Sequence, residues 1–157
     1  MSTQGIAIHK LMLKTGKKIS VAESCTGGLL SALLTQYPDS SRYFIFGAIT
    51  YSNESKVKIL KIPPSMIKKY GAVSKQVAQE MARNVKKLSQ TDFGIGISGI
   101  AGPSGGTVQK PVGTVFIAIA SKKSTLCKKN LFTGMRAEIR EKAAKKALNL
   151  LKPLLSP

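Results

Sequence analysis

Apolar and polar positions along this chain change period several times, and each change marks an element. Ile6, Leu11 and Leu13 with their neighbours recur at near-helical spacing and predict a first helix that ends at Gly16. An apolar run from Ile19 to Ala22 then reads as a strand, and Gly28 to Gln36 as a helix that stops before Pro38. Tyr43 to Thr50, rich in aromatic and β-branched residues, predicts a second strand, and Glu54 to Leu60 a helix. Pro63-Pro64 restarts the chain, and Ser74 caps a longer helix whose apolar face carries Val77, Met81 and Val85. Strands follow at Phe93 to Ile97, Val112 to Ala120 and Thr125 to Thr133; the turn around Lys122-Lys123 is short enough to force the last two antiparallel. A helix from Ala137 to Leu151, ended by Pro153, closes the chain. Strands separated by helices early and a hairpin late predict an α/β fold: a three-layer α/β/α sandwich with a mixed, mostly parallel five-stranded sheet.

Three polar motifs interrupt this pattern where a strand ends. Val21-Ala22-Glu23-Ser24-Cys25-Thr26-Gly27-Gly28 puts a serine hydroxyl at the tip of a tight strand-to-helix turn. The free N–H groups of the helix and its dipole would stabilise an oxyanion or a phosphate there. The plain alternative is that Ser24 or Thr26 only N-caps the helix. Tyr51-Ser52-Asn53-Glu54-Ser55-Lys56 follows the second strand, and Ser98-Gly99-Ile100-Ala101-Gly102-Pro103-Ser104-Gly105-Gly106 follows the third. Polar motifs at the ends of several strands are how α/β enzymes assemble sites.

Gly94-Ile95-Gly96-Ile97-Ser98-Gly99 formally fits the dinucleotide-binding pattern, but no helix can start in the glycine-rich run that follows. No acidic residue lies between Asp92 and Glu138 to hold a ribose, so Gly94 and Gly96 read as small residues in a crowded strand. The Gly99 to Gly106 loop either wraps an anion with its unshielded N–H groups or is a flexible connection.

At 157 residues the chain suits a single domain, 1–157. No apolar run approaches the roughly 20 residues of a membrane span, and the amino terminus lacks a signal-peptide pattern, so a cytoplasmic protein with no membrane partner is expected. Cys25 and Cys127 have no metal-type spacing and His9 is the sole histidine. Histidine triads and most transition-metal sites are thereby excluded, and no metal or organic cofactor is expected. The net charge of +18 raises nucleic-acid binding. The excess is nearly all lysine in scattered pairs, with arginine only at 42, 83, 136 and 140, and this predicts no specific nucleic-acid partner.

The motifs AES-C-TGG, Y-S-N-x-x-K, GAVS from Gly71 to Ser74, and GIAGPSGG followed by KPVGTV together resemble the CinA carboxy-terminal domain family, over about Ile6 to Leu151. In its catalytic form that family is the nicotinamide-nucleotide amidohydrolase. The resemblance implies five strands with helices on both faces, and hydrolysis of nicotinamide mononucleotide (NMN) to nicotinate mononucleotide and ammonia without a cofactor. It implies Ser24 as nucleophile. With no histidine available, a desolvated lysine with positive charge nearby can act as base; the resemblance assigns that role to Lys56, with Tyr51 beside it. Ser98 stands where most members carry threonine and keeps the hydroxyl.

The resemblance also implies that the glycine-rich segment lines the pocket, which makes Gly99, Gly102, Gly105 and Gly106 substrate-contact candidates. Cys25, Thr26 and Gly27 are candidates at the turn, and Cys25 is a weaker alternative nucleophile because it lacks a histidine partner. Glu23 either fixes the turn or binds ribose hydroxyls. The family places a functional arginine at the start of the last helix, where Arg136 and Arg140 both qualify as phosphate clamps, with a solvated pair on one helix face as the alternative. A homodimer or higher homo-oligomer is implied. The rival to catalysis is a nucleotide-binding or regulatory module of the competence and damage type.

Overall fold

Residues 3–155 are described by a computed structural model. The strands β1 (Ile19–Glu23), β2 (Phe44–Ile49), β3 (Phe93–Gly99), β4 (Thr114–Ala120) and β5 (Thr125–Leu131) form one sheet in the order β2-β1-β3-β4-β5. β1 pairs in parallel with β2 and β3, while β3–β4 and β4–β5 are antiparallel. Four of the five strands therefore run one way and only β4 is opposed, and the carboxyl ends of β1, β2 and β3 at Glu23, Ile49 and Gly99 share one edge of the sheet. This edge receives all three polar motifs.

Helices cover both faces, which is why β1 and β4 are buried at every position rather than at alternate ones. On one face α1 (Thr3–Thr15), α2 (Leu29–Thr35) and α6 (Arg136–Leu155) pack Ile8, Met12, Leu30, Leu34, Ile139 and Leu148 against Val21, Ile95 and Ile119. On the other, α3 (Asn53–Leu60) and α5 (Lys75–Ser89) supply Leu60, Val77, Met81 and Val85 against Ala22, with the partly buried Met66 and Ile67 of α4 (Pro64–Tyr70) packed beside them. The second face is built for close approach. A Cβ at Gly94 or Gly96 would collide with the carbonyl oxygens of Ala82 and Ala78, so those glycines let α5 lie flat on β3.

Several boundaries differ from the sequence expectation. The buried stripe of α1 is Ile8 and Met12, with Ile6 turned outward, because α6 covers only that side of the helix. Pro153 does not end α6: so near the end it removes few main-chain bonds, and the buried Leu151 and Leu155 hold the last turn to the core. β4 begins at Thr114, since Gly113 has φ +93° and presses on the backbone of Phe132. The stretch after Pro63 is a helix of its own, α4, started by Pro64 in its first turn.

Candidate active site

The site grows from the end of β1. The Glu23 side chain is fully buried, and its carboxylate accepts hydrogen bonds from the N–H groups of Gly28 (3.0 Å), Leu30 (3.1 Å) and Ser31 (2.8 Å) and from the Ser31 hydroxyl (2.7 Å). It thus satisfies the first turn of α2 from a residue well before the helix, and complements the positive end of the helix dipole. Ser24 and Thr26 are not N-caps: Gly28 holds that position with φ 98° and no side-chain bond. The expectation that the first N–H groups of α2 face a substrate oxyanion is overturned by the same bonds, since Glu23 consumes them. The question left open for Glu23 is answered too, because a carboxylate enclosed with four protein donors fixes the turn and cannot reach a ribose.

The Thr26 N–H donates to no protein acceptor among the described residues, and the Cys25 N–H meets only its own sulfur. Arg140 orients this peptide from behind, with Nε donating to the Cys25 carbonyl (3.2 Å) and Nη2 to that of Thr26 (3.0 Å). Across a trans peptide the Thr26 N–H points opposite to the Cys25 carbonyl, hence away from the guanidinium. Gly27 is required here. Its φ is +57°, and a Cβ would stand 3.0 Å from Arg140 Nη2.

The second component comes from α3. Ser52 caps that helix by accepting from the Ser55 N–H at 3.0 Å, and one turn later Lys56 points inward. The side chain is 1% exposed, and Nζ lies 3.1 Å from Ser24 Oγ, 2.8 Å from the Thr50 carbonyl and 3.2 Å from the Tyr51 carbonyl. Burial lowers the Lys56 pKa from 10.5 to about 8. Desolvation alone does this; the neighbouring positive charge anticipated from the sequence is not among the causes. As an ammonium, Nζ donates to all three oxygens; in the neutral amine two hydrogens keep the carbonyls and the lone pair faces the Ser24 hydroxyl.

The cavity beside this pair has a volume of about 290 Å³, at the small end for ligand pockets. Ser24, Cys25, Tyr51, Lys56, Ser98, Gly99, Gly102, Gly105 and Arg136 all line it, and no carboxylate does. Ser98 donates to the Ala72 carbonyl at 2.7 Å, so its hydroxyl pins the wall segment Gly71 to Ser74 and does not touch Lys56. The Tyr51 ring is 56% exposed at the mouth, and its phenol accepts from Arg136 Nη2 at 2.7 Å; only its backbone carbonyl meets Lys56. Arg136 Nη1 also donates to the Gly102 carbonyl at 2.6 Å. Cys25 packs in the core, and burial pushes its thiol up to about 11, which removes the activation a nucleophilic cysteine needs.

Sequence comparison matches residues 3–155 to the CinA C-terminal domain. The chain belongs to the CinA C-terminal domain family. It is 44% identical over 149 residues to a putative competence-damage inducible protein of Desulforudis audaxviator, covering 95% of this chain and 36% of that protein. It is 48% identical over 143 residues to a CinA-like protein of Endomicrobium trichonymphae, covering 91% and 33%. The chain thus spans about a third of the length of these curated relatives. Among solved structures, a competence/damage inducible protein from Agrobacterium tumefaciens superposes with a TM-score of 0.94 at 32% identity, covering 99% of this chain and 98% of that one. The three-layer fold with a mixed sheet is that of the CinA superfamily.

Within this CinA domain the structure separates the candidates that the sequence left together. Arg136 faces the cavity, while Arg140 supports the turn from the α2–α6 side. Thr26 is buried away from the cavity, Gly27 packs on Arg140, and Gly106 packs on Val112, so these three do not line it. Asn53, Ala72, Val73 and Ser104 line it and were not anticipated as contacts. All four lie in recognised motifs, Y-S-N-x-x-K, GAVS and GPSGG, so motif membership was the signal that could have found them. Among the described residues no group of three His, Cys, Asp or Glu side chains is placed to hold a metal ion.

Proposed function

We propose that this domain is an amidohydrolase that converts NMN to nicotinate mononucleotide and ammonia through a Ser24–Lys56 pair. The supporting observation is the buried Lys56 amine 3.1 Å from the Ser24 hydroxyl, held there by two main-chain carbonyls. Ser24 Oγ attacks the carboxamide carbon while Lys56 takes the hydroxyl proton. The oxyanion that forms is received by the N–H group of Cys25, which lines the cavity. Lys56 then returns the proton to the leaving nitrogen, ammonia departs, and the acyl group stays on Ser24. Water, deprotonated by Lys56 in turn, attacks the ester and releases the carboxylate; the sum is amide plus water to acid plus ammonia.

Substrate charge fits this cavity. A cationic pyridinium beside Lys56 disfavours the ammonium form further and keeps the base neutral. Arg136 at the mouth offers planar donors to a phosphate, and the lining holds no carboxylate to repel it. Incubation of the purified protein with NMN, with ammonia and nicotinate mononucleotide measured together, tests the reading. Stoichiometric release of both supports it, whereas NMN binding without ammonia would favour a regulatory nucleotide-binding module.

A further inference from the structure

The cavity has two walls that meet only through side chains. One is the Gly71 to Ser74 segment between α4 and α5, which contributes Ala72 and Val73; the other is the β3–β4 loop, which contributes Gly102, Ser104 and Gly105. Gly102 and Gly105 have φ of +78° and +89°, a backbone with little intrinsic restraint. At the far end of the loop the chain tightens. The Thr107 N–H donates to the Lys110 carbonyl (2.9 Å) and the Lys110 N–H donates to Thr107 Oγ1 (3.0 Å), a local turn closed from both sides.

That turn aims Lys110 across the gap, where its Nζ donates to the carbonyls of Val73 (2.6 Å) and Tyr70 (3.0 Å). The Tyr70 carbonyl belongs to the last turn of α4, where carbonyls lack helical partners and the helix dipole is negative. Gly71 is favoured there for its φ of +79° and not for space, since a Cβ would lie 3.5 Å from Lys110 Nζ, an ordinary contact. Lys110 has no carboxylate within salt-bridge reach among the described residues, so its charge is spent on these two carbonyls. Both bonds are charge-assisted, the stronger class.

We propose that Lys110 is a positioning residue: its ammonium latches the glycine-rich loop to the 70–74 segment and so sets the width of the cavity mouth through which substrate is captured. The proposal rests on the amidohydrolase reading for its kinetic consequence but not for its mechanical one. Ser24 and Lys56 sit on β1–α2 and α3, elements the latch does not touch, so unlatching alters substrate capture and leaves the chemical step alone. Two measurements on Lys110→Met and Lys110→Arg separate these layers. Amide hydrogen exchange should quicken in 70–74 and 102–112 of Lys110→Met while β1 and β3 stay protected, and Lys110→Arg, whose guanidinium can span the same carbonyls, should restore most of the protection.

In ammonia release from NMN, Lys110→Met should raise KM roughly tenfold, equivalent to about 1.4 kcal/mol, with kcat within about threefold of wild type. Unchanged exchange in both segments of Lys110→Met overturns the latch whatever the activity. Looser segments with an unchanged KM, or a loss confined to kcat, overturn its role in capture. If wild-type protein releases no ammonia the amidohydrolase reading fails instead, and exchange still decides the latch.

Discussion

The turn from Glu23 to Ser31 and the loop from Gly99 to Gly113 both leave parallel strands at the same sheet edge and both reach one cavity, yet they are held by different means. The turn is built around buried charge: Glu23 has four protein donors, and Arg140 holds two carbonyls from behind. Shifting it strands a carboxylate without partners in the core, which is costly. The loop hangs from the tips of two long cations, Arg136 on Gly102 and Lys110 on the facing wall, at partly exposed positions. Water can replace those donors, so the loop opens at small cost. A reaction between Ser24 and Lys56 tolerates little displacement, whereas a nucleotide must enter and leave.

If the rigid side carries the chemistry, its loss should dominate. Ser24→Ala should lower ammonia release from NMN by ~10⁴-fold or more and leave nucleotide binding intact. Near-normal turnover in that variant would end the serine mechanism, and a dead Cys25→Ser in its place would shift the role to the thiol despite its raised pKa.

Lys56→Arg should be almost as inactive, because a guanidinium keeps the charge but gives up no proton. In the wild type the amine is neutral above its pKa of about 8. Below that, kcat/KM should fall about tenfold per pH unit as Nζ protonates, and should level off above it. An acid limb of the same midpoint in Lys56→Arg would assign the titration to another group.

Glu23→Ala tests the architecture of the turn by stability. Four lost bonds to an ionised acceptor and a lost helix cap should cost on the order of 3 kcal/mol or more, read as a lowered urea midpoint at unchanged slope. A loss under about 1 kcal/mol would mean the turn is held by packing alone.

The smallest effect should come from the loop side. Arg136→Ala releases Gly102 and Tyr51 together and removes the cation at the mouth, and should raise KM for NMN roughly tenfold with kcat little changed. A collapse of kcat equal to that of Lys56→Arg would erase the distinction between the two regions.

The order of elements, the antiparallel final hairpin and the gathering of three polar motifs at one edge were legible from the chain, because local period, turn residues and crossover length are properties of short stretches. So was the family, whose motifs are contiguous. The packing reason for Gly94 and Gly96 was legible for the same cause, since a strand with no side chains must lie under something close.

What the chain alone left open was every question about where a side chain's partner lies. Glu23, Arg136 and Arg140 are each compatible with several roles in one dimension; the contact of Arg140 with Cys25 joins residues 115 positions apart, and that of Arg136 with Tyr51 joins residues 85 apart. The depressed pKa of Lys56 likewise has no local origin. It follows from burying an amine at the carboxyl ends of β1 and β2, and desolvation is a property of the packed volume around a group rather than of its neighbours in the chain.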